Sequence, residues 1–394
     1  MAGSVILAGA RTPIGKLSGA FAGFAATDLG GFAIKAALER AGLSPEQVDY
    51  AFMGQVLQAG TGQIPARQAA ANADIPMDVP ATTVNKVCLS GLNSIYLADQ
   101  MIQAGDAEVV VAGGMESMTN APYLLPDGRA GFRMGDKTVV DSMMHDGLFC
   151  AFDCVAMGAG TEKYAQSAGI AREPQDELAA KSHERAAMAQ KDGLFDDEIV
   201  TVSVPQRKGD PLEVTEDEGI RPGTTVDSLG SLKPAFDKAG NITAGNASQI
   251  SDGAAAVIVT SKAKAEELGG QPLGELVAYG QVAGPDPSLL TQPARAIEQA
   301  LDKAGKSVSD VSLFELNEAF AAVGLASMDQ LGITDEITNV NGGAIALGHP
   351  IGMSGTRVAL HTLLELRRRG GGLGAAALCG GGGQGDAAIL QVAA

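Results

Sequence analysis

Hydrophobic positions along the chain alternate between short continuous runs and stretches spaced three and four apart, the first pattern predicting buried strands and the second amphipathic helices. Ser4 to Ala8 reads as a short buried strand, with Arg11-Thr12-Pro13 as the turn after it. A helix is predicted to begin after Thr27-Asp28, which can cap it, and to run through Leu38 to Ala41 until Gly42 stops it. Tyr50 to Leu57 is a second strand and Pro65 to Ala73 a short helix. Thr82 to Val87 is an extended approach that leads into Cys88-Leu89-Ser90-Gly91 and a long amphipathic helix from Leu92 to Ala104. Asp106 to Ala112 is a continuous apolar strand ended by Gly113-Gly114. Strands alternating with helices in this way predict an α/β layered fold.

The rhythm breaks between Thr119 and Ser248, where prolines, glycines and charge clusters surround two isolated helix patterns, Met157 to Ala168 and Gln175 to Lys191. This stretch reads as a large insertion, and the core resumes with the buried strand Asp252 to Thr260 and a further strand, helix and strand series from Gly274 onward. The halves also resemble each other. Val84-Asn85, Ser90-Gly91, a helix and Val109 to Gly114 in the first half parallel Val340-Asn341, Ser354-Gly355, a helix ending in Arg367-Arg368-Arg369-Gly370 and Ala376 to Gly381 in the second; Asp49 to Val56 parallels Asp310 to Asn317. The expected organisation is a duplicated α/β unit. Its N-terminal half would comprise residues 1–118 and 249–270, its inserted loop domain 119–248 and its C-terminal half 271–394.

The 394 residues and their 45% hydrophobic content are enough for more than one packed domain and exclude a disordered or fibrous chain. A formal net charge of −18, from 28 basic and 46 acidic residues, is unsuited to nucleic acid or an anionic membrane, so an anionic substrate must meet a local basic patch. Absence of tryptophan and 4% aromatic content argue against stacking platforms for bases. No segment has the form of a secretory signal or reaches membrane length, and four scattered cysteines fit free thiols in a reducing compartment. The expected location is the cytoplasm.

Candidate chemistry lies at the ends of the predicted elements. Cys88 sits where a strand turns into a helix; unpaired amides and the positive end of the macrodipole there favour a thiolate nucleophile, while a lone cysteine is also readily a buried structural thiol. Cys379 follows the apolar strand Ala375 to Leu378 and precedes four glycines, Gly380 to Gly383, which form either an oxyanion hole or a simple tight turn. His349 lies in the glycine-rich loop Asn341 to Pro350, where burial favours the neutral ring that accepts a proton, or else a hydrogen-bonded structural histidine. Asn317, in Asn317-Glu318-Ala319-Phe320, follows a strand from Val311 to Leu316 and either orients a water or donor, or caps a helix. His145, Cys150 and Cys154 do not have a standard zinc spacing, and the run Gly380 to Gly385 lacks the strand-to-helix context of a dinucleotide site. No bound metal is expected.

Together these motifs resemble the thiolase family over essentially the full chain. Asn85-Lys86-Val87-Cys88-Leu89-Ser90-Gly91 resembles its nucleophile segment, Asn317 to Phe320 its N-E-A-F motif, Gly348-His349-Pro350 its G-H-P motif and Cys379-Gly380-Gly381-Gly382 its second-cysteine loop. The likeness continues through Ala10 to Pro13, Gly113 to Met118 and Thr243 to Ser248. It implies an α-β-α-β-α fold and an acyltransferase that reversibly condenses two acetyl-CoA into acetoacetyl-CoA and CoA, by ping-pong through acyl-Cys88. It further implies that His349 takes the Cys88 proton and that Cys379 abstracts the α-proton. The amides of Cys88 and Gly381 would hold one oxyanion, and His349 with a water on Asn317 the other. By the same resemblance Leu148, Arg221, Ser228, Phe236, Ala244, Ser248, Ala319 and Phe320 bind CoA, with local charge from Arg207, Lys208, Lys233 and Lys238. No cofactor beyond CoA thioesters is implied, and no nucleic-acid or membrane partner. Tyr123 to Met144 resembles the family's tetramerisation loop, implying a homotetramer built as a dimer of dimers. Two departures stand out: Ala156 replaces a histidine common before Met157-Gly158, and Leu290 to Pro293 is shortened. The alternatives are a degradative 3-ketoacyl-CoA thiolase, a condensing synthase of the same fold and a catalytically silent lipid or CoA carrier.

Overall fold

The computed structural model describes residues 4–394; the first three residues of the expected N-terminal half lie outside the described residues. In chain order the main elements are β1 (Val5–Arg11), α1 (Ala26–Ala41), β2 (Tyr50–Gly54), α2 (Pro65–Asn72), β3 (Ala81–Val84), α3 (Ser90–Ala104) and β4 (Val109–Ser117). Then follow α4 (Met157–Ser167), α5 (Arg172–Lys191), β5 (Ser251–Thr260), β6 (Gly274–Ala283), α6 (Gln292–Ala304) and β7 (Leu313–Leu316). The chain ends with α7 (Ala321–Leu331), α8 (Ser354–Arg368), β8 (Gly372–Gly380) and β9 (Gln384–Val392).

Nine of these strands lie in the order β7-β8-β9-β6-β1-β5-β4-β2-β3, joined at β1–β6 by only two residue pairs, Val5 with Glu275 and Ile6 with Gly274. On one side of that joint β3, β2 and β4 run parallel, and β5 and β1 follow antiparallel. On the other, Thr338 bridges parallel to β7, β7 runs parallel to β8, and β9 and β6 follow antiparallel. The same sequence of pairings appears twice, which is the duplication that the repeated motifs predict.

The strands alternate their side chains between two apolar layers. Val109 and Val111 of β4 face α1 and α2, whereas Val110 and Ala112 face Leu92 and Ile95 of α3 and Leu360 and Leu363 of α8. In β8, Ala376 and Leu378 face that same central helical layer, and Leu373, Ala375 and Ala377 face α6. Burial on both faces explains why these strands read as continuous apolar runs. The result is five layers, helix, sheet, helix, sheet, helix, with α3 and α8 in the middle.

Element ends differ from the sequence reading in ways that have local causes. The first helix starts one turn early, with Ala25 as its cap and Asp28 accepting back from the Ala25 amide at 2.9 Å; Gly42 ends it at φ 68°. The glycines at 113 and 114 do not end β4, because β5 pairs with it to Ser117. Arg11 is not a solvent turn but the buried end of β1, where its guanidinium meets Glu198 at 2.8 Å and Asp217 at 2.7 Å and pins the 119–248 segment to the sheet. Besides α4 and α5, that segment holds short two-stranded ribbons and single helical turns at Pro126–Ala130, Met143–Gly147 and Val226–Gly230. Among the described residues no helix is long and apolar enough to cross a membrane.

Candidate active site

The two central helices meet at their first turns. Thr356 of α8 donates to the carbonyl of Gly91 in α3 at 3.1 Å, and a Cβ at Gly114 would lie only 1.9 Å from the carbonyl oxygen of Gly352. This close approach brings together the two loops that enter those helices, one carrying Cys88 and the other His349. Glu116, fully buried, accepts amides of Val56 (3.0 Å), Leu57 (3.1 Å) and Gly352 (3.0 Å) and so fastens the His349 loop to the first half.

Cys88 is partly buried, two residues before α3, and the amides of Cys88 itself and of Gly381 are close enough to favour its ionised form. Those amides lower its pKa, but burial outweighs them and pushes the thiol up to about 12, with Glu116 adding to the rise. The expected thiolate stabilised by the helix end is therefore corrected: burial dominates, and the thiol ionises only if a neighbour takes its proton. Cys379 lies inside β8 and is fully buried. Its pKa is raised by burial and further by Cys88, and the two cysteine loops touch, a Cβ at Gly380 falling 2.6 Å from Leu89 and one at Gly381 3.4 Å from Val87.

His349 is 5% exposed, and its ring is pushed down to about 3 by burial and by the Arg357 charge. It is neutral at physiological pH. Its Nδ1 lies 2.6 Å from Ser354 Oγ, and that hydroxyl donates to the Pro350 carbonyl at 3.0 Å. With the single hydroxyl proton spent there, Nδ1 must donate to Ser354, which leaves the Nε2 lone pair open to receive a proton. Nε2 faces the amide nitrogen of Asn317 at 3.4 Å. Asn317 prolongs β7 by donating its backbone amide to Ala377 at 2.9 Å, and its buried Oδ1 has no partner. It is not a helix cap, since α7 starts at Ala321 behind Phe320.

A cavity of about 490 Å³ lies beside this site, with none of Cys88, His349 and Cys379 in its lining. Leu148 and Ile250 on its wall belong to the apolar cluster that includes Cys88, while Met157 and Phe320 belong to the one that includes Cys379. Its lining residue Gln249 accepts the His349 amide at 3.1 Å. Leu148, Arg221, Phe236, Ala244, Ser248 and Phe320 line it, as does Ala156. Ser228 and Ala319 do not: the Ser228 hydroxyl donates to Thr225 O at 2.8 Å, and Ala319 is buried beside Cys379, its carbonyl held by the Ser248 amide.

Two cations line this cavity, Arg221 and Lys16, and no acidic residue does. Among the described residues neither side chain is in an ion pair or hydrogen bond, and the nearby Glu218 is turned to the amides of Lys16 and Ala20. Sequence reading missed Lys16 because it lies over two hundred residues from Arg221. Only the pairing of Lys16 with Ser251 at the edge of β5 brings it to the cavity. His145, Cys150 and Cys154 do not converge: His145 faces Asp146, Cys150 is buried and Cys154 is exposed.

Residues 4–263 match the family described as "Thiolase, N-terminal domain", and residues 270–392 match "Thiolase, C-terminal domain". The chain is 59% identical over 387 residues, 98% of its length and 100% of the relative's, to a protein of Mycolicibacterium smegmatis named probable acetyl-CoA acetyltransferase. It is 53% identical to the acetyl-CoA acetyltransferase of Cupriavidus necator and 51% identical to that of Pseudomonas aeruginosa, in each case over 98% of both chains.

Proposed function

The chain belongs to the thiolase family, and from that premise we propose that it is an acetyl-CoA acetyltransferase in which Cys88 and Cys379 divide a reversible Claisen condensation between them. The observation that carries the assignment is that the walls of one cavity adjoin all three groups: Leu148 packs in the cluster of Cys88, Phe320 in that of Cys379, and Gln249 accepts the amide of the neutral His349. In the first half-reaction His349 Nε2 takes the Cys88 proton, and the sulfur attacks the thioester carbonyl of acetyl-CoA. The amides of Cys88 and Gly381, which favour the ionised sulfur, hold the oxyanion; losing one such donor typically costs about 10²–10³ in rate. Collapse expels CoA thiolate, which takes the proton of Cys379.

The second half-reaction starts from acetyl-Cys88, imidazolium at His349 and thiolate at Cys379. Acetyl-Cys88 carries no charge to oppose a thiolate at Cys379, and the imidazolium balances the new thiolate. Cys379 then takes an α-proton from a second acetyl-CoA. The enolate oxygen is held by His349 Nε2–H and a water on Asn317, whose unpartnered Oδ1 is a suitable acceptor. Attack on acetyl-Cys88 gives acetoacetyl-CoA, and the departing Cys88 sulfur recovers its proton from His349. The Cys88 proton returns by way of His349, the Cys379 proton leaves on CoA and is replaced by the α-proton, and no cofactor enters the cycle.

Residues 119–248 serve in this reading as the inserted domain for CoA and self-assembly, between an N-terminal half of 1–118 with 249–270 and a C-terminal half of 271–394. Tyr123, Phe132 and Met134, exposed at 67%, 50% and 95%, support Tyr123 to Met144 as the contact of a homotetramer. The free cysteines and acidic surface support a cytoplasmic enzyme with no nucleic-acid or membrane partner. The functional test is cleavage of acetoacetyl-CoA, which should require free CoA and be faster, in kcat/KM, than cleavage of 3-oxoacyl-CoA of eight carbons or more. Turnover without CoA would point to a synthase, and equal or better use of long chains to the degradative branch.

Lys16 and Arg221 would meet the phosphates of CoA. Replacing Lys16 with methionine should raise KM for acetyl-CoA by up to about fivefold, as expected for a solvent-exposed ion pair worth up to about 1 kcal/mol. The value of kcat, and the kinetics with acetyl-pantetheine, which has no phosphates, should stay unchanged. An equal loss with both substrates would show that Lys16 acts on the fold and not on phosphate.

A further inference from the structure

The loop that presents Cys88 is held from the opposite half of the molecule. Lys86 reaches across to Asp386 of β9, with its ammonium 2.8 and 2.9 Å from the two carboxylate oxygens. Asp386 is fully buried and also accepts from Tyr279 of β6 at 2.8 Å; the Lys86 side chain is 22% exposed. Asp386 pairs with Leu378 across β8 and β9, one rung before Cys379 pairs with Gly385. The ion pair therefore ties the Cys88 loop to the strand pair that carries the second cysteine.

What it holds is a strained turn. Val87, between Lys86 and Cys88, has φ 51°, a left-handed conformation that a β-branched residue avoids. Asn85 Oδ1 accepts the Val87 amide at 3.1 Å, and Ser90 Oγ accepts that of Lys86 at 2.9 Å, so local bonds supply part of the restraint. The valine methyl carbons lie 3.4 and 3.6 Å from where a Cβ of Gly381 would be, and a Cβ at Gly380 would fall 2.6 Å from Leu89. The two loops thus interlock, side chain over glycine, on either side of Cys88, with Val87 over Gly381 and Leu89 over Gly380.

We propose that Lys86 and Asp386 form a positioning latch that holds the Val87 turn so that the Cys88 sulfur stays on the amide of Gly381. The latch acts through Cys88 and touches no substrate. It rests on the reading of Cys88 as the acylated residue. Because it sets the attack geometry and lies outside the cavity, its loss should slow acylation and leave substrate affinity alone.

The test is the rate of the CoA burst on mixing with acetyl-CoA, per folded protomer, in Asp386→Asn, Lys86→Met and Tyr279→Phe, with melting temperature measured in parallel. Asp386→Asn and Lys86→Met should each slow the burst tenfold or more with KM changed less than twofold. Tyr279→Phe, which removes one bond to Asp386 and leaves the ion pair, should slow it less, and Lys86→Arg should regain most of the rate. A burst rate unchanged per folded protomer in Lys86→Met, whose partly exposed side chain leaves the protein able to fold, would overturn the latch and leave the pair a stabilising contact only. Absence of any acetyl group on Cys88 in the unaltered protein after mixing with acetyl-CoA would instead overturn the assignment of Cys88.

Discussion

Alanine at Cys88 lowers kcat/KM for acetoacetyl-CoA cleavage by about 10⁴-fold or more, the scale seen when an enzyme loses its covalent nucleophile. No other group in the site can take over. His349 is held by Ser354 and turns its other nitrogen to Asn317, and Cys379 is buried inside β8 with its thiol raised. The substitution removes a partly exposed sulfur and leaves the Lys86–Asp386 pair and the cavity wall untouched, so binding of CoA should persist. Steady-state kinetics with a parallel measurement of CoA binding checks both halves of this expectation. Residual activity within about tenfold of the unaltered protein would remove Cys88 from the chemistry.

Alanine at Cys379 has a different signature, because it separates the half-reactions. Acetylation of Cys88 needs His349 and the two amides, and CoA thiolate, from a thiol of pKa about 8.5, can depart without help, so this step should slow by about tenfold or less. Condensation has no other base at the α-carbon and should fall by about 10³–10⁴, the upper part of the range for general base catalysis. The variant should therefore accumulate acetyl-Cys88 and return the acetyl group to CoA while making almost no acetoacetyl-CoA. Equal loss in both half-reactions would place Cys379 in acylation and contradict the division of labour.

The fold was legible because its signals are local. The continuous apolar runs at 109–112, 252–260 and 375–378 mark strands buried on both faces, and the duplicated motifs anticipate the duplicated pairing. The four catalytic candidates were legible as motifs at element ends. Their protonation was only half legible: burial of His349 in a loop of small apolar residues predicts a neutral ring, and the structure agrees. For Cys88 the sequence reveals the helix that follows but not the walls that close over the sulfur, and those walls decide its pKa. Pairings across long separations were invisible. Neither Arg11 with Asp217, Lys86 with Asp386, nor Lys16 beside Arg221 leaves any periodic trace, since each depends on which strands become neighbours.

The most direct test is peptide mapping by mass spectrometry after the protein is mixed with acetyl-CoA and quenched. A single acetyl group should be found on the peptide containing Cys88, and it should disappear on adding either CoA, with acetyl-CoA re-formed, or more acetyl-CoA, with acetoacetyl-CoA produced. An acetyl group on Cys379 alone, or a labelled Cys88 that neither addition discharges, would contradict the account.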